Sequence, residues 1–571
     1  MTHNRTKSQN GFISLLLAIA CSAQVLASEA QVPLNPHATP KLKWEGCGEI
    51  NNHTLECSRL DVPMDHVNPG DKTFSIPLIR MLATNASASG DRHLLTNPGG
   101  PGGSGVEFLE RVAASLNKVI GENFHLLSFD PRGVSGSIPR AICYPSDTLR
   151  AESFIDAPWD LEFQAGKMYT TAENKAKACE DEMGEYGGYI NTPQTAADMN
   201  SILDALGQEK MYYWGFSYGT TLGQTYAQMF PSRVERLIID GVSNLDEWYN
   251  EFFFEESLVD TDKSYAGFAE ECFKAKEACA LNSLKDTPFE SSSELKSFID
   301  DFLADLQEVP IPVYLNASNY GSITRRKIVT NGIFFSLYKP FPFWVTLAEN
   351  LAALFNGNST PVYNAYSDNW IAGVLSDETN DFVTKNDNWL TGAQAPVHGV
   401  KPVQNYTLSK RSLSTLVSKY YGSDAYDRAS WLIPTTHKFH PQYHPQFPRI
   451  KTAKPILVLS TTFDPVCPLV SAKKAQNSFE GAGLVEQKSY GHCSISMPSL
   501  CTAKHVHRYF NEGVIPEAGS TCEIDAEYFP GRGKSHVSTL SEEDRELLAA
   551  LTDLAAEDVI PAFLPSRMFG L

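Results

Sequence analysis

Two hydrophobic rhythms alternate along the first part of this chain. Short apolar runs of strand length occur at His93–Asn97, Phe124–Phe129, Met211–Trp214 and Leu237–Gly241. Between them lie segments whose apolar residues recur at helical spacing. Residues 193–206 carry Ala196, Met199, Ile202, Leu203 and Leu206 on one helical face, and Thr220–Phe230 reads as a helix stopped by Pro231. Residues 44–83 instead alternate through Leu60, Val62, Phe74, Ile76, Leu78 and Ile79, as edge strands or a hairpin do. The rhythm returns late, with a strand at Pro455–Ser460, a helix at Ala472–Phe479 and a strand at Leu484–Ser489. Alternating β and α segments predict an α/β fold with a mostly parallel sheet covered on both faces.

From 245 to 450 this alternation stops. Ser291 and Glu294 form a capping box ahead of Leu295, Phe298, Ile299, Phe302, Leu303 and Leu306 at helical spacing. Phe343–Phe355 is a second amphipathic segment, in a stretch dense with Ile333, Phe334, Phe335, Phe341, Phe343 and Trp344. Most of these aromatics read as lid core, with a minority lining a pocket. The expected organisation is a core part over 28–244, a large, mainly helical lid over 245–450, and a second core part over 451–571. A helical insertion between strands of one sheet covers the carboxyl ends of those strands, where open α/β sheets bind ligands.

Composition narrows the partners. The chain has 571 residues, 42% hydrophobic and 20% charged, with a formal net charge of −20. Such acidity argues against nucleic acid or an anionic membrane as the main partner. Arg5 and Lys7, the apolar stretch Phe12–Ala20 and the small-residue pattern Val25-Leu26-Ala27 read as a signal peptide over 1–27, with secretion and a mature start near Ser28. The other reading is an uncleaved anchor. Cys21 lies in that leader, and the remaining ten of the eleven cysteines form an even set that suggests disulfides. No spacing resembles a zinc site, and no metal or cofactor is expected. Sequons at Asn52, Asn85, Asn316, Asn358 and Asn405 are about as many as chance gives and support secretion only weakly. Nothing in the chain defines an oligomeric state.

The chemistry concentrates at Gly215-Phe216-Ser217-Tyr218-Gly219. A strand before it and a helix after it turn this G-x-S-x-G run into a nucleophile elbow, with Ser217 at the tip of a strained turn. A serine hydroxyl needs a base, and the base needs an orienting group. On such elbows the acid and then the histidine follow the serine along the chain. Asp464 follows the strand 456–460 and precedes Pro465; Asp240 is its rival at another strand end. Asp130 precedes Ser217 and is excluded by the order. His492, after the last strand and behind Gly491, is the candidate base, while His505 and His507 sit in a helical stretch. The backbone N–H of Tyr218 is one expected oxyanion donor, and the glycine-rich loop Pro98–Gly105 supplies the other. That loop is neither G-x-G-x-x-G nor a P-loop, so a nucleotide role is set aside.

Together, Asn97–Gly105, Phe129-Asp130-Pro131-Arg132-Gly133 and Trp214–Thr220 resemble the tripeptidyl aminopeptidase branch of the proline-iminopeptidase-like α/β-hydrolases. Residues 464–523, with Asp464-Pro465-Val466, Gly491-His492-Cys493-Ser494 and Cys522-Glu523, are similar to the carboxyl-terminal domain of that branch. The resemblance covers about half the chain and leaves the lid unmatched except in position. It implies an α/β-hydrolase fold, Ser217, Asp464 and His492 as a triad, Gly100 as the loop's oxyanion donor, and removal of short peptides from free amino termini. It also implies a lid carboxylate for the substrate ammonium. Of Asp246, Glu247, Glu255 and Glu256, Glu247 is chosen, although all four also read as a solvated acidic face. Cys467 departs from the pattern, where a small polar residue such as threonine is expected, and a Cys467–Cys493 bridge would tie the acid loop to the base loop. Two other readings remain at this stage: an esterase, thioesterase or lactonase acting on a small metabolite, and a non-catalytic binding protein on the same fold.

Overall fold

The computed structural model describes residues 42–557 apart from 86–91, 156–159, 285–287, 368–377, 419, 421 and 531–539. The expected signal peptide lies outside the described residues.

Among the described residues, ten strands form one sheet: β1 (Glu45–Ile50), β2 (His53–Pro63), β3 (Thr73–Met81), β4 (His93–Asn97), β5 (His125–Phe129), β6 (Met211–Phe216), β7 (Val234–Asp240), β10 (Leu457–Phe463), β11 (Gly483–Tyr490) and β12 (Ser520–Cys522). Their order is β1-β2-β3-β5-β4-β6-β7-β10-β11-β12. The pairs from β1 to β5 are antiparallel, and all pairs from β5 through β4 to β12 are parallel. Residues 44–83 are therefore the antiparallel flank that their alternation predicts. The central parallel strands β4, β5, β6, β7 and β10 are largely buried on both faces because both are covered, whereas β11 alternates buried and part-exposed residues. Trp214, Phe216 and Ile238 join a cluster with Phe108, Val112 and Leu116. Tyr213, Leu237 and Ile239 face the other way, into a cluster with Met199, Ile202 and Leu222.

The helices that position the site are α1 (Gly105–Ile120), α2 (Thr192–Leu206) and α3 (Tyr218–Met229) in the core, and α4 (Leu245–Asn250), α5 (Thr379–Asp387) and α6 (Asp424–Ser430) between β7 and β10. That insertion also holds the helices Ser292–Glu308 and Pro340–Phe355. Ser291 Oγ caps the first of these by accepting from Glu294 N at 3.2 Å, but the Glu294 carboxylate takes the Glu290 N–H instead of closing the box on Ser291. The insertion is not wholly helical. β8 (Ile311–Asn316) and β9 (Asn319–Ile323) form a separate antiparallel hairpin.

Four disulfides join Cys47–Cys57, Cys143–Cys179, Cys272–Cys279 and Cys501–Cys522. Disulfides persist in an oxidising compartment. The Cys467–Cys493 bridge is not formed: both are buried free thiols. The Cys493 thiol turns to the carbonyl of Asp240 at 3.3 Å, and Cys467 Sγ faces Ser243 Oγ at 3.8 Å. Among the described residues no helix is long and apolar enough to cross a membrane.

Candidate active site

Ser217 sits between β6 and α3 with φ 55° and ψ −124°, a strained conformation for a residue with a side chain. The turn is tight: a Cβ on Gly215 would lie 2.4 Å from Gly219 O and 2.5 Å from the Tyr213 hydroxyl. Ser217 N donates to Asp240 O at 3.0 Å, which ties the elbow to the end of β7. The same carbonyl accepts the Cys493 thiol, so the loop carrying His492 meets the elbow there.

Asp464, at the end of β10, is completely buried. Its Oδ1 accepts from Val466 N at 2.9 Å and Cys467 N at 2.8 Å, and its Oδ2 from Cys493 N at 3.1 Å. His492 Nδ1 lies 2.8 Å from Oδ2 and 3.0 Å from Oδ1. A ring nitrogen facing a carboxylate carries the proton, so Nδ1–H donates and Nε2 is the acceptor. The His492 N–H donates to Tyr338 O at 2.7 Å, and the Tyr338 ring meets the imidazole edge-on at 5.1 Å. The rival Asp240 serves the loop after the base: its carboxylate accepts Ser494 N at 2.7 Å and Ser494 Oγ at 2.6 Å. Burial pushes it up to about 6, against the Ser494 bonds and the His492 ring.

The glycine-rich loop lies against the elbow. A Cβ on Gly99 would stand 2.5 Å from Phe216 O, 2.8 Å from Ser217 Cβ and 3.1 Å from Tyr218 N. Asp130 anchors this loop at its far end, accepting Ser104 Oγ at 2.6 Å and Val106 N at 3.1 Å with one oxygen and Gly136 N at 3.0 Å with the other. Arg132 ties the same segment to α2 through a bidentate pair with Asp198 at 2.7 and 2.6 Å.

Ser217, Tyr218 and Gly100 border a cleft of about 920 Å³, including the part open to solvent. Glu247 is on its wall, nine-tenths buried. Burial pushes its carboxyl up to about 8; the Glu256 N–H, donating to Oε1 at 2.7 Å, opposes this, and the Glu256 charge adds to it. The other three acids of that run are engaged elsewhere: Asp246 accepts Asn250 Nδ2 at 2.7 Å, Glu255 pairs with Lys410, and Glu256 pairs with Lys474. Trp248, Phe253, Phe254 and Tyr338 form the apolar walls. Within the aromatic stretch around Phe334 and Trp344, Tyr338 reaches this cleft, while Ile333, Phe334, Phe335 and Trp344 are buried core, with Phe341 and Phe343 packed against it.

Sequence patterns give no sign that Cys467 faces the cleft, nor of the cleft residues that come from the lid. Cys467 borders the cleft beside the acid, and Asn380, Thr384 and Asp424 reach it from the lid. Arg428 Nε at 2.5 Å and Lys385 Nζ at 2.9 Å pair with the half-buried Asp424 and, against its desolvation, hold its carboxyl well below the usual carboxylate range. Among the described residues, two side-chain sets have the composition of a metal site. Cys501 and Cys522, near His505, are consumed by their disulfide. Asp464, Cys467 and His492 also cluster, but three backbone N–H groups and the imidazole already occupy the carboxylate.

A buried carboxylate–imidazole pair, a strained serine and a glycine loop meet at the carboxyl edge of a parallel sheet. That is an arrangement the α/β-hydrolase fold provides, and this chain has that fold: a mostly parallel sheet with a large, mainly helical insertion between β7 and β10. Residues 92–312 match the family model described as alpha/beta hydrolase fold, and 416–522 match the model described as TAP-like protein. Among curated relatives, the serine protease Hip1 of Mycobacterium tuberculosis is 28% identical over 509 residues, covering 85% of this chain and 92% of the relative. A tripeptidyl aminopeptidase of Streptomyces lividans is 24% identical over 500 residues, covering 84% and 86%. Carboxylesterase B of M. tuberculosis is 26% identical over 522 residues, covering 86% and 92%.

Proposed function

We propose that this protein is a secreted aminopeptidase that releases short peptides, of the tripeptidyl or prolyl type, from free amino termini through an acyl-enzyme. Ser217 Oγ attacks the scissile carbonyl as its proton passes to His492 Nε2. Asp464 holds the imidazole and stabilises its charged form. The N–H groups of Tyr218 and Gly100 receive the oxyanion, each such donor contributing roughly 3–4 kcal/mol. His492 returns the proton to the leaving amine, and water then hydrolyses the ester on Ser217. The two core segments supply this chemistry, while the lid over 245–450 selects the substrate, with Glu247 receiving its ammonium.

The observation that carries this reading is the Asp464–His492 pair at 2.8 Å beside a cleft bordered by both Ser217 and the Glu247 carboxyl. The tripeptidyl aminopeptidase and serine protease relatives support it. Secretion is supported by the four disulfides and the leader pattern at 1–27. Asn52, Asn85, Asn316, Asn358 and Asn405 are all exposed, as glycan acceptors must be. A second reading, an esterase, thioesterase or lactonase, is favoured by the apolar walls of Trp248, Phe253 and Phe254 and by the carboxylesterase relative.

Wild type and Ser217→Ala, incubated with tripeptidyl, prolyl and acyl-ester chromogenic substrates, separate these readings. Cleavage of amine-terminal peptides by wild type alone supports the aminopeptidase. Ester turnover without aminopeptidase activity sinks it in favour of the second reading. Equal background from both proteins points to a binding protein on this fold.

A further inference from the structure

The lid reaches into the core through α5. Asp387, its last residue, is completely buried and accepts Thr192 N on Oδ1 at 2.7 Å, with Thr192 Oγ1 at 2.5 Å and Trp248 Nε1 at 2.8 Å on Oδ2. Thr192 opens α2 of the core, and Trp248 belongs to α4. The hydroxyl of Thr192 has one proton. When that proton goes to ionised Asp387, the Tyr218 phenol must donate at its 2.6 Å contact with Thr192 Oγ1. A directed chain therefore runs from Tyr218 through Thr192 to the lid. The Tyr218 and Trp248 rings lie 5.5 Å apart, and both border the cleft. One carboxylate thus holds both aromatic side chains of this wall. The same helix also grips the glycine loop, because Asn380 Nδ2 donates to Pro101 O at 3.2 Å. Burial pushes the Asp387 carboxyl up to about 7, against its Thr192 and Trp248 bonds.

We propose that Asp387 is a positioning residue that, from the lid, fixes the Tyr218–Trp248 wall of the cleft against Ser217. The inference rests on the acyl-enzyme reading above. The Tyr218 arm steadies the residue that follows the nucleophile and acts on kcat. The Trp248 arm shapes the surface that receives substrate and acts on KM.

The test uses Asp387→Asn, Trp248→Phe and the double variant, assayed at about pH 8.5, where the carboxylate form prevails. Rates are expressed per serine that reacts with a fluorophosphonate, so an unfolded fraction does not count. An amide offers one acceptor oxygen and turns an N–H pair toward donors that need acceptors. Asp387→Asn is expected to raise KM about tenfold and lower kcat about threefold. Trp248→Phe removes the indole donor and is expected to cost about threefold in kcat/KM. With that donor gone, the double variant should lose no more than Asp387→Asn alone, roughly thirtyfold. Multiplied losses near one-hundredfold overturn the proposal. So do wild-type kinetics per reactive serine in Asp387→Asn with only a lower Tm, which would make the residue structural. A wild type that neither takes the fluorophosphonate nor turns over substrate overturns the acyl-enzyme reading and this inference with it.

Discussion

Glu247→Gln tests the substrate class, because it removes a charge the fold already resists. The carboxyl is pushed up to about 8 by burial, against the Glu256 N–H and with the neighbouring Glu256 charge. At pH 6, about two units below that value, only about 1% of the empty enzyme is ionised. Binding a peptide ammonium there includes about 2.7 kcal/mol for removing the Glu247 proton, which vanishes above pH 8. The substrate's α-amino group loses its own proton near 8. The product of the two ionised fractions therefore peaks near pH 8 and falls about eightfold from pH 7 to pH 6. The assay is kcat/KM for an amine-terminal peptide divided by that for its N-acetylated analogue or an acyl ester, measured across pH. The ratio cancels the ionisation of the catalytic base. In Glu247→Gln the bell should flatten, and the ratio near pH 8 should drop about 10- to 100-fold, the worth of a charge-assisted hydrogen bond. Stability should move the other way. The folded carboxyl binds its proton more tightly than the unfolded one, whose value is about 4.5. The wild type therefore loses stability as pH rises from about 4.5 through about 8. Glutamine is free of that loss, so the variant should be the more stable protein at pH 8 by up to a few kcal/mol. An unchanged ratio and an unchanged pH profile would refute the ammonium role, whatever the Tm does.

Three further outcomes follow from the site. Ser217→Gly should abolish turnover yet raise Tm above that of Ser217→Ala, since glycine accepts the φ of 55° that costs a side chain about 1–3 kcal/mol; equal Tm values for the two variants remove the strain argument. Gly99→Ala places a methyl 2.5 Å from Phe216 O and 2.8 Å from Ser217 Cβ, and should lower kcat at least about 100-fold with a smaller change in KM; a kcat near wild type would show that the loop does not support the oxyanion. Of the ten cysteines after Cys21, two should react with a thiol reagent once the chain is unfolded without reductant, and mass mapping should assign them to Cys467 and Cys493; no reactive thiol would restore the bridge between them.

How far the sequence reveals this protein depends on what is local. β4, β5, β6, β7 and β10 are legible because each is an apolar run largely buried on both faces, and β11 because buried and part-exposed residues alternate along it. β12 is not, since Ser520–Cys522 has three residues at the sheet edge and no periodicity. The hairpin β8–β9 is hidden in a segment with helical neighbours, where its strands are short and bury only Val313 and Ile323. The reaction-bearing residues proposed here follow the same division. Ser217, Asp464 and His492 each lie within a few residues of a strand end, so a strand pattern locates them. Glu247 is within reach of sequence reasoning because it follows β7 closely, but only packing distinguishes it from Asp246, Glu255 and Glu256. Asn380, Asp387 and Asp424 have no such signal: Asn380 and Asp424 border the cleft, and Asp387 lies behind its wall on Trp248 and Thr192, because lid helices fold back onto the core. The two thiols make the same point in miniature. Cys467 and Cys493 both sit beside Asp464, which makes a bridge plausible along the chain. Each sulfur, however, is aimed at a different partner, Ser243 or the Asp240 carbonyl. Local pattern therefore locates the residues of the proposed chemistry, and nonlocal packing shapes the cleft in which it would act. The peptide-versus-ester question is for that reason one about Glu247 and the lid contacts around Asp387, not about the proposed triad, which either substrate would use in the same way.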